Sequence, residues 1–175
     1  MKDKFAREST TVMNELVLPN DTNTFGNLMG GRLLYWMDIC SAMAAQKHCN
    51  SPVVTVSVDN VSFKRSIRLG EVVTIEAKVT RAFNTSLEVR MEVFAQNLPL
   101  GTKEKSNEAY YTFVAVDILA KPQPIPKVVP ETELEYKLFD EAMRRRELRL
   151  ILGGKLDPND ATELKSLVSL FDHKG

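Results

Sequence analysis

Only two cysteines, Cys40 and Cys49, occur in 175 residues, and their spacing matches neither a disulfide framework nor a metal-ligand cluster. Histidine is equally scarce: His48, and His173 in the last few residues. So few nitrogen and sulfur ligands argue against a metal site. An excess of charge is missing as well, since 23 Lys and Arg balance 23 Asp and Glu. Nucleic-acid binding depends on a basic face that neutralises phosphates, so a neutral total argues against it while leaving room for a small local anion site. No apolar run approaches the length of a membrane span. The opening "MKDKFAREST" is charged and has no apolar core, unlike a secretory signal. There is no internal repeat and no low-complexity tract. These absences leave a reduced, cytoplasmic globular protein as the expectation, and the length suits one domain with a small appendage.

What is present divides into blocks. Residues 12–18 alternate loosely and fit a first short strand, stopped at Pro19. "NDTNTFGN" is turn chemistry almost throughout. From Leu28 to about Cys49 the pattern is helical and apolar around nearly the whole circumference, which predicts a helix buried on all sides. Asn50 is placed to cap it and Pro52 to break it. Strand patterns follow in residues 53–63, 71–83, 85–97 and 107–117, with Leu87, Val89, Met91 and Val93 on one face. The short links between them predict that successive strands are antiparallel neighbours. "AKPQPIPKVVP" reads as a proline-rich linker. After it a helix spans residues 131–152, ended by Gly153 and Gly154, and another starts at "DPND" with Asp157 as N-cap. One long helix and one sheet can form a core only if the sheet curls around the helix. Its remaining surface or edge then needs a cover, which a self-associating dimer would supply.

Two features of "GNLMGGRLLYWMD" exceed the needs of a core. Asp38 stands inside the apolar helix, where a carboxylate is costly unless it is partnered or functional. Burial raises a carboxyl pKa, and a raised pKa makes a better base for activating water near neutral pH. Asp38 is therefore a candidate general base, or a direct nucleophile that passes through an anhydride. Gly30 and Gly31 precede the helix, where free amides and the positive end of the dipole collect. A carbonyl brought to those amides would be polarised as in an oxyanion hole. The bland readings are a wet helix face for Asp38 and tight packing for the glycines.

"LPNDTNTFGNLMGGRLLYWMD", "VVTVSVDNVSFKRSIRLGE" and "AYYTFVAVD" together resemble the acyl-CoA thioesterase branch of the hotdog-fold superfamily. The resemblance covers about residues 12–125. It implies an α+β hotdog fold, a long central helix wrapped by a curved antiparallel sheet. The division expected is a thioesterase domain over 1–125 and a linker with a helical tail over 126–175. It further implies hydrolysis of acyl-CoA to free fatty acid and CoA without a cofactor, by homodimers usually assembled as trimers of dimers. Active sites lie at the dimer interface in that branch. Carried over by motif, the catalytic pair is Asn23, in "DTN", from one subunit and Asp38, in "WMD", from the other.

CoA carries a 3′-phosphate and a pyrophosphate, and so requires a basic site. Lys64, Arg65 and Arg68, in "FKRSIRLGE", are the candidates. Arg32 joins them because a cation in the first helical turn calls for a nearby anion. Asp21 is expected to shape its loop through backbone bonds. His48 and Cys49 are adjacent on the helix and point about 100° apart, so they do not form a thiol–imidazole pair. Two rival functions remain. A hydroxyacyl-thioester dehydratase of similar fold usually carries a histidine base, and no His occurs between Asn20 and Lys47. A non-catalytic acyl-CoA-binding module would not need both Asn23 and Asp38.

Overall fold

The computed structural model describes residues 1–59 and 61–166. The chain forms two compact units, Met1–Val129 and Pro130–Gly175. In the first unit the elements are β1 (Lys4–Phe5), β2 (Thr11–Leu16), α1 (Gly30–Cys49), β3 (Val53–Asp59), β4 (Val72–Ala82), β5 (Ser86–Asn97), β6 (Thr102–Ala115) and β7 (Val128–Val129). The proline-rich stretch is not all linker. Ile125, Pro126 and Val128 are buried, and β7 pairs in parallel with β1.

Strands β2 to β6 form one antiparallel sheet in the order β2-β4-β5-β6-β3. Hairpins β4–β5 and β5–β6 join sequence neighbours as expected, but β3 and β4 are not neighbours. β3 pairs with β6 at the far edge. It ends at Asp59, short of Phe63, and residues 61–71 travel back across the end of the sheet. That crossing segment is tied to the start of α1: the Leu28 amide donates to the Ile67 carbonyl at 2.7 Å, and Phe63 lies against Gly30.

Alternation aims Val73, Ile75, Ala77 and Val79 of β4 inward beside Leu87, Val89, Met91 and Val93 of β5. Ala109, Tyr111, Phe113 and Ala115 complete that face from β6. Leu33, Trp36, Met37, Cys40, Ala44 and Ala45 of α1 pack onto it. The helix is not buried on all sides in the protomer, because the sheet wraps only part of it. Tyr35 and Met43 are exposed, as are Val54, Val56 and Val58 on the edge strand β3. Asn50 ends the helix as its sequence position indicates, in the left-handed region at φ 53° with its amide on the Gln46 carbonyl.

In the second unit α2 (Glu133–Leu152) opens with a reciprocal cap between Thr132 and Glu135. Asp157 accepts from the Asn159 amide and starts a short 3-10 turn, Pro158–Asp160. Residues 162–166 are helical, and the remainder of the expected second helix lies outside the described residues. Glu147 caps that helix, accepting from the amides of Glu163 and Leu164 and the hydroxyl of Thr162.

Candidate active site

The loop 20–29 is built by its own side chains. Asn23 Oδ1 accepts the amides of Phe25 at 3.0 Å and Asn27 at 3.2 Å, while its backbone amide donates to the Asn27 carbonyl. With the oxygen so occupied, the exposed Asn23 carboxamide keeps Nδ2 to donate. Gly26, at φ 70°, takes the left-handed turn that closes the loop. Asp21 is buried and accepts the Leu18 amide, the shaping role expected of it.

Helix α1 begins at Gly30 after Met29, whose side chain makes no capping hydrogen bond. The amides of Gly30 and Gly31 thus lie in the first helical turn, where no carbonyl of the same helix reaches them. Gly30 packs tightly, since a Cβ there would meet the Phe63 ring at 3.3 Å. Gly31 faces open space: nothing among the described residues lies within 4 Å of its Cβ position. Asn23 and Gly30 line a cavity of about 220 Å³ together with Leu33, Phe63, Arg65 and Ile67.

Asp38, two turns along α1, does not line that cavity. It is half-buried and faces the edge strand, where Thr55 Oγ1 donates to its Oδ1 at 2.8 Å. Sequence reasoning passed over Thr55. It stands in "VVTVSV" as one polar residue of an alternating strand, and nothing in that pattern says the strand lies beside Asp38. The register of β3 on β6 shifts between Thr55 and Ser57, a local irregularity at this point of the strand. Each protomer therefore carries two separate clusters, Asn23 with Gly30 and Asp38 with Thr55.

The basic candidates diverge. Arg32 already has its anion, pairing with Asp21 at 2.9 Å. Arg65 reaches Glu71 and Glu104, each at 2.8 Å. Burial alone would raise the Glu71 carboxyl, but the Arg65 guanidinium and the Arg68 amide hold it below the usual carboxylate range. Arg65 thus braces the crossing segment. Arg68 and Lys64 are exposed, and Arg68 lines an open groove of about 510 Å³ with Ser66, Asn97 and Leu100.

The thiols are withdrawn from chemistry. Burial pushes the Cys40 thiol up to about 11. Cys49 Sγ turns to the Ser51 carbonyl, whereas His48 Nε2 meets the Pro126 carbonyl at 2.8 Å. Among the described residues no group of three or more His, Cys, Asp or Glu is placed to hold a metal ion.

A helix clasped by a five-stranded antiparallel sheet, with glycines at the helix start, defines a hotdog-fold protein. Residues 25–102 match the model of the thioesterase superfamily. The chain is 38% identical over 142 residues to an uncharacterized acyl-CoA thioester hydrolase, YkhA, of Bacillus subtilis, covering 81% of this chain and 83% of that protein. The crystal structure of an apo-hexameric acyl-CoA thioesterase superposes with a TM-score of 0.84 at 40% identity, over 87% of this chain and 98% of the other. An acyl-CoA hydrolase from Staphylococcus aureus, solved in complex with butyryl-CoA, CoA and CoA disulfide, superposes at 0.79 with 33% identity, over 87% and 94% of the two chains. This chain belongs to the thioesterase superfamily, among its acyl-CoA thioester hydrolases.

Proposed function

We propose that this protein hydrolyses acyl-CoA thioesters to free acid and CoA at sites shared between two copies of the chain. One observation carries the reading: Asp38, held by Thr55 at the open side of α1, is separate within a protomer from the cavity of Asn23 and Gly30. A second copy seated on β3 would cover Val54, Val56 and Val58 and bring the two clusters together. The hexameric relative supports further assembly of such dimers. No cofactor is required, because CoA is part of the substrate.

The chemistry follows from the groups. The thioester carbonyl points at the amides of Gly30 and Gly31, which stabilise the oxyanion that forms on attack. Thr55 occupies Asp38 Oδ1, and Oδ2 takes a proton from the attacking water. Asn23 Nδ2 donates to the carbonyl or holds that water. The tetrahedral intermediate collapses, the C–S bond breaks, and the proton held by Asp38 passes to the departing CoA thiolate. Lys64 and Arg68, exposed on the crossing segment, attract the CoA phosphates. Arg32 and Arg65 serve chiefly to hold the scaffold in shape.

Release of free thiol from a panel of acyl-CoAs tests the activity, and a dehydratase or a binding module would release none. Asp38→Asn is expected to lose about a hundredfold or more in kcat. Single turnover in ¹⁸O water tests the nucleophile role of Asp38, since an anhydride opened by water at the Asp38 carbonyl leaves label in its carboxylate, whereas direct attack of water on the thioester does not. Shared sites are tested by co-expressing Asp38→Asn with Asn23→Ala. Mixed two-fold dimers keep one intact site, so activity should return to about a quarter of wild type. No recovery would place both residues of a site on one chain.

A further inference from the structure

Tyr111 heads the fully buried side chains of the core by volume, with 1% of its surface exposed. It lies on β6, stacked at 6.3 Å on Phe113. Phenylalanine would fill this volume without a hydroxyl to satisfy, and a sealed hydroxyl needs a partner. The partner is the Leu34 carbonyl, 3.5 Å from the Tyr111 oxygen. Leu34 stands one turn before Asp38 in α1, so the same carbonyl also accepts the Asp38 amide in the helical ladder. A carbonyl oxygen has two lone pairs and can accept both. At 3.5 Å the bond is at the long limit of hydrogen-bond distance, and its effect is correspondingly modest.

The register adds a second strand of evidence. On β3, Thr55 lies opposite Phe113 and Val58 lies opposite Tyr111. The β3–β6 pair thus presents two hydroxyls to one stretch of α1, Thr55 to the Asp38 carboxylate and Tyr111 to the backbone behind it. Burial, and then the charge of Asp38, push the Tyr111 phenol up to about 12. It therefore remains a neutral donor throughout the neutral range.

We propose that Tyr111 is a positioning residue for thioester hydrolysis: its buried hydroxyl fixes the helical turn that carries Asp38 and so sets the direction of the carboxylate. The inference rests on Asp38 being the acid of the reaction. Tyr111 touches no reacting atom, so its contribution belongs to kcat.

The test uses full-length protein and butyryl-CoA. Tyr111→Phe keeps the ring and its packing, and thermal unfolding verifies the fold. Its kcat should fall severalfold, with KM nearly unchanged. Because Tyr111 acts through Asp38, the same substitution made in Asp38→Asn should cause no further loss. An unchanged kcat for Tyr111→Phe, a change confined to KM, or equal losses in the two backgrounds would each overturn the inference. The two failures are distinguishable. If Asp38→Asn is inactive and Tyr111→Phe is normal, only the role of Tyr111 falls; if Asp38→Asn is fully active, the assignment of Asp38 falls and that of Tyr111 with it.

Discussion

Gly30 and Gly31 stand side by side in different surroundings. At Gly30 a Cβ would sit 3.3 Å from the tip of the exposed Phe63 ring, which would have to shift by a few tenths of an ångström. Gly31 has no such neighbour, so its packing within the protomer would accept a methyl. Gly31→Ala should leave the unfolding temperature equal or higher, since alanine is favoured over glycine in a helix by roughly 0.5–1 kcal/mol. Its rate of thiol release should nevertheless drop about tenfold or more, because the methyl would occupy the approach to the helix amides. Full activity in this variant would mean that the substrate does not pass there. Thr55 admits a similar separation. Thr55→Val preserves the branched shape and removes the bond to Asp38, so kcat should fall about tenfold with KM nearly unchanged. Thr55→Ser should restore most of the loss. Equal rates for Val and Ser would sink a role for the hydroxyl.

Helix α1 is anchored at the end opposite its glycines. Lys4 Nζ donates to the Lys47 carbonyl at 2.7 Å and to Asn50 Oδ1 at 3.2 Å, and Lys47 Nζ reaches the Thr10 carbonyl. Cations at a helix C-terminus complement its dipole. His48 is sealed beneath this clasp, with Nδ1 buried and making no hydrogen bond among the described residues. Burial, reinforced by the Lys4 charge, lowers its pKa below 6.5, although the Pro126 carbonyl and Glu8 act the other way. The folded protein therefore prefers neutral His48. Above pH 6.5 neither state takes up that proton, and the contribution of His48 to stability is complete. As pH falls below 6.5 the unfolded chain binds a proton that the folded one resists, and stability is lost. Unfolding temperature should drop more steeply with acidification in wild type than in His48→Gln. Parallel curves for the two proteins would show that His48 titrates alike in both states.

At the scale of the molecule, the proposed assembly turns on the open side of α1 and the edge strand β3. Val54, Val56 and Val58 have 49%, 55% and 44% of their surface exposed, on an edge strand that pairs with β6 on one side only. Val56→Lys should give a folded protomer of smaller solution mass, measured by light scattering, with thiol release reduced about a hundredfold. An active monomer would end the proposal of a shared site.

The helix, its C-terminal cap at Asn50, the inward face of β5 and the acid in "WMD" were legible in the sequence, because each depends on local spacing and residue chemistry. The order of strands was not, since β3 leaves its neighbour in sequence to pair with β6 through contacts that no periodicity records. Thr55 was hidden for the same reason, being a hydroxyl in an ordinary alternating strand until that strand came to lie beside Asp38. Arg65 was read as a ligand for phosphate from its place in a basic turn and Arg32 from its place in the first helical turn, and only the fold supplied Glu71, Glu104 and Asp21 as their partners. Local chemistry thus determined which groups this chain has to work with. Long-range pairing decided which of them meet, because contacts between distant segments are paid for by the closing of the whole core.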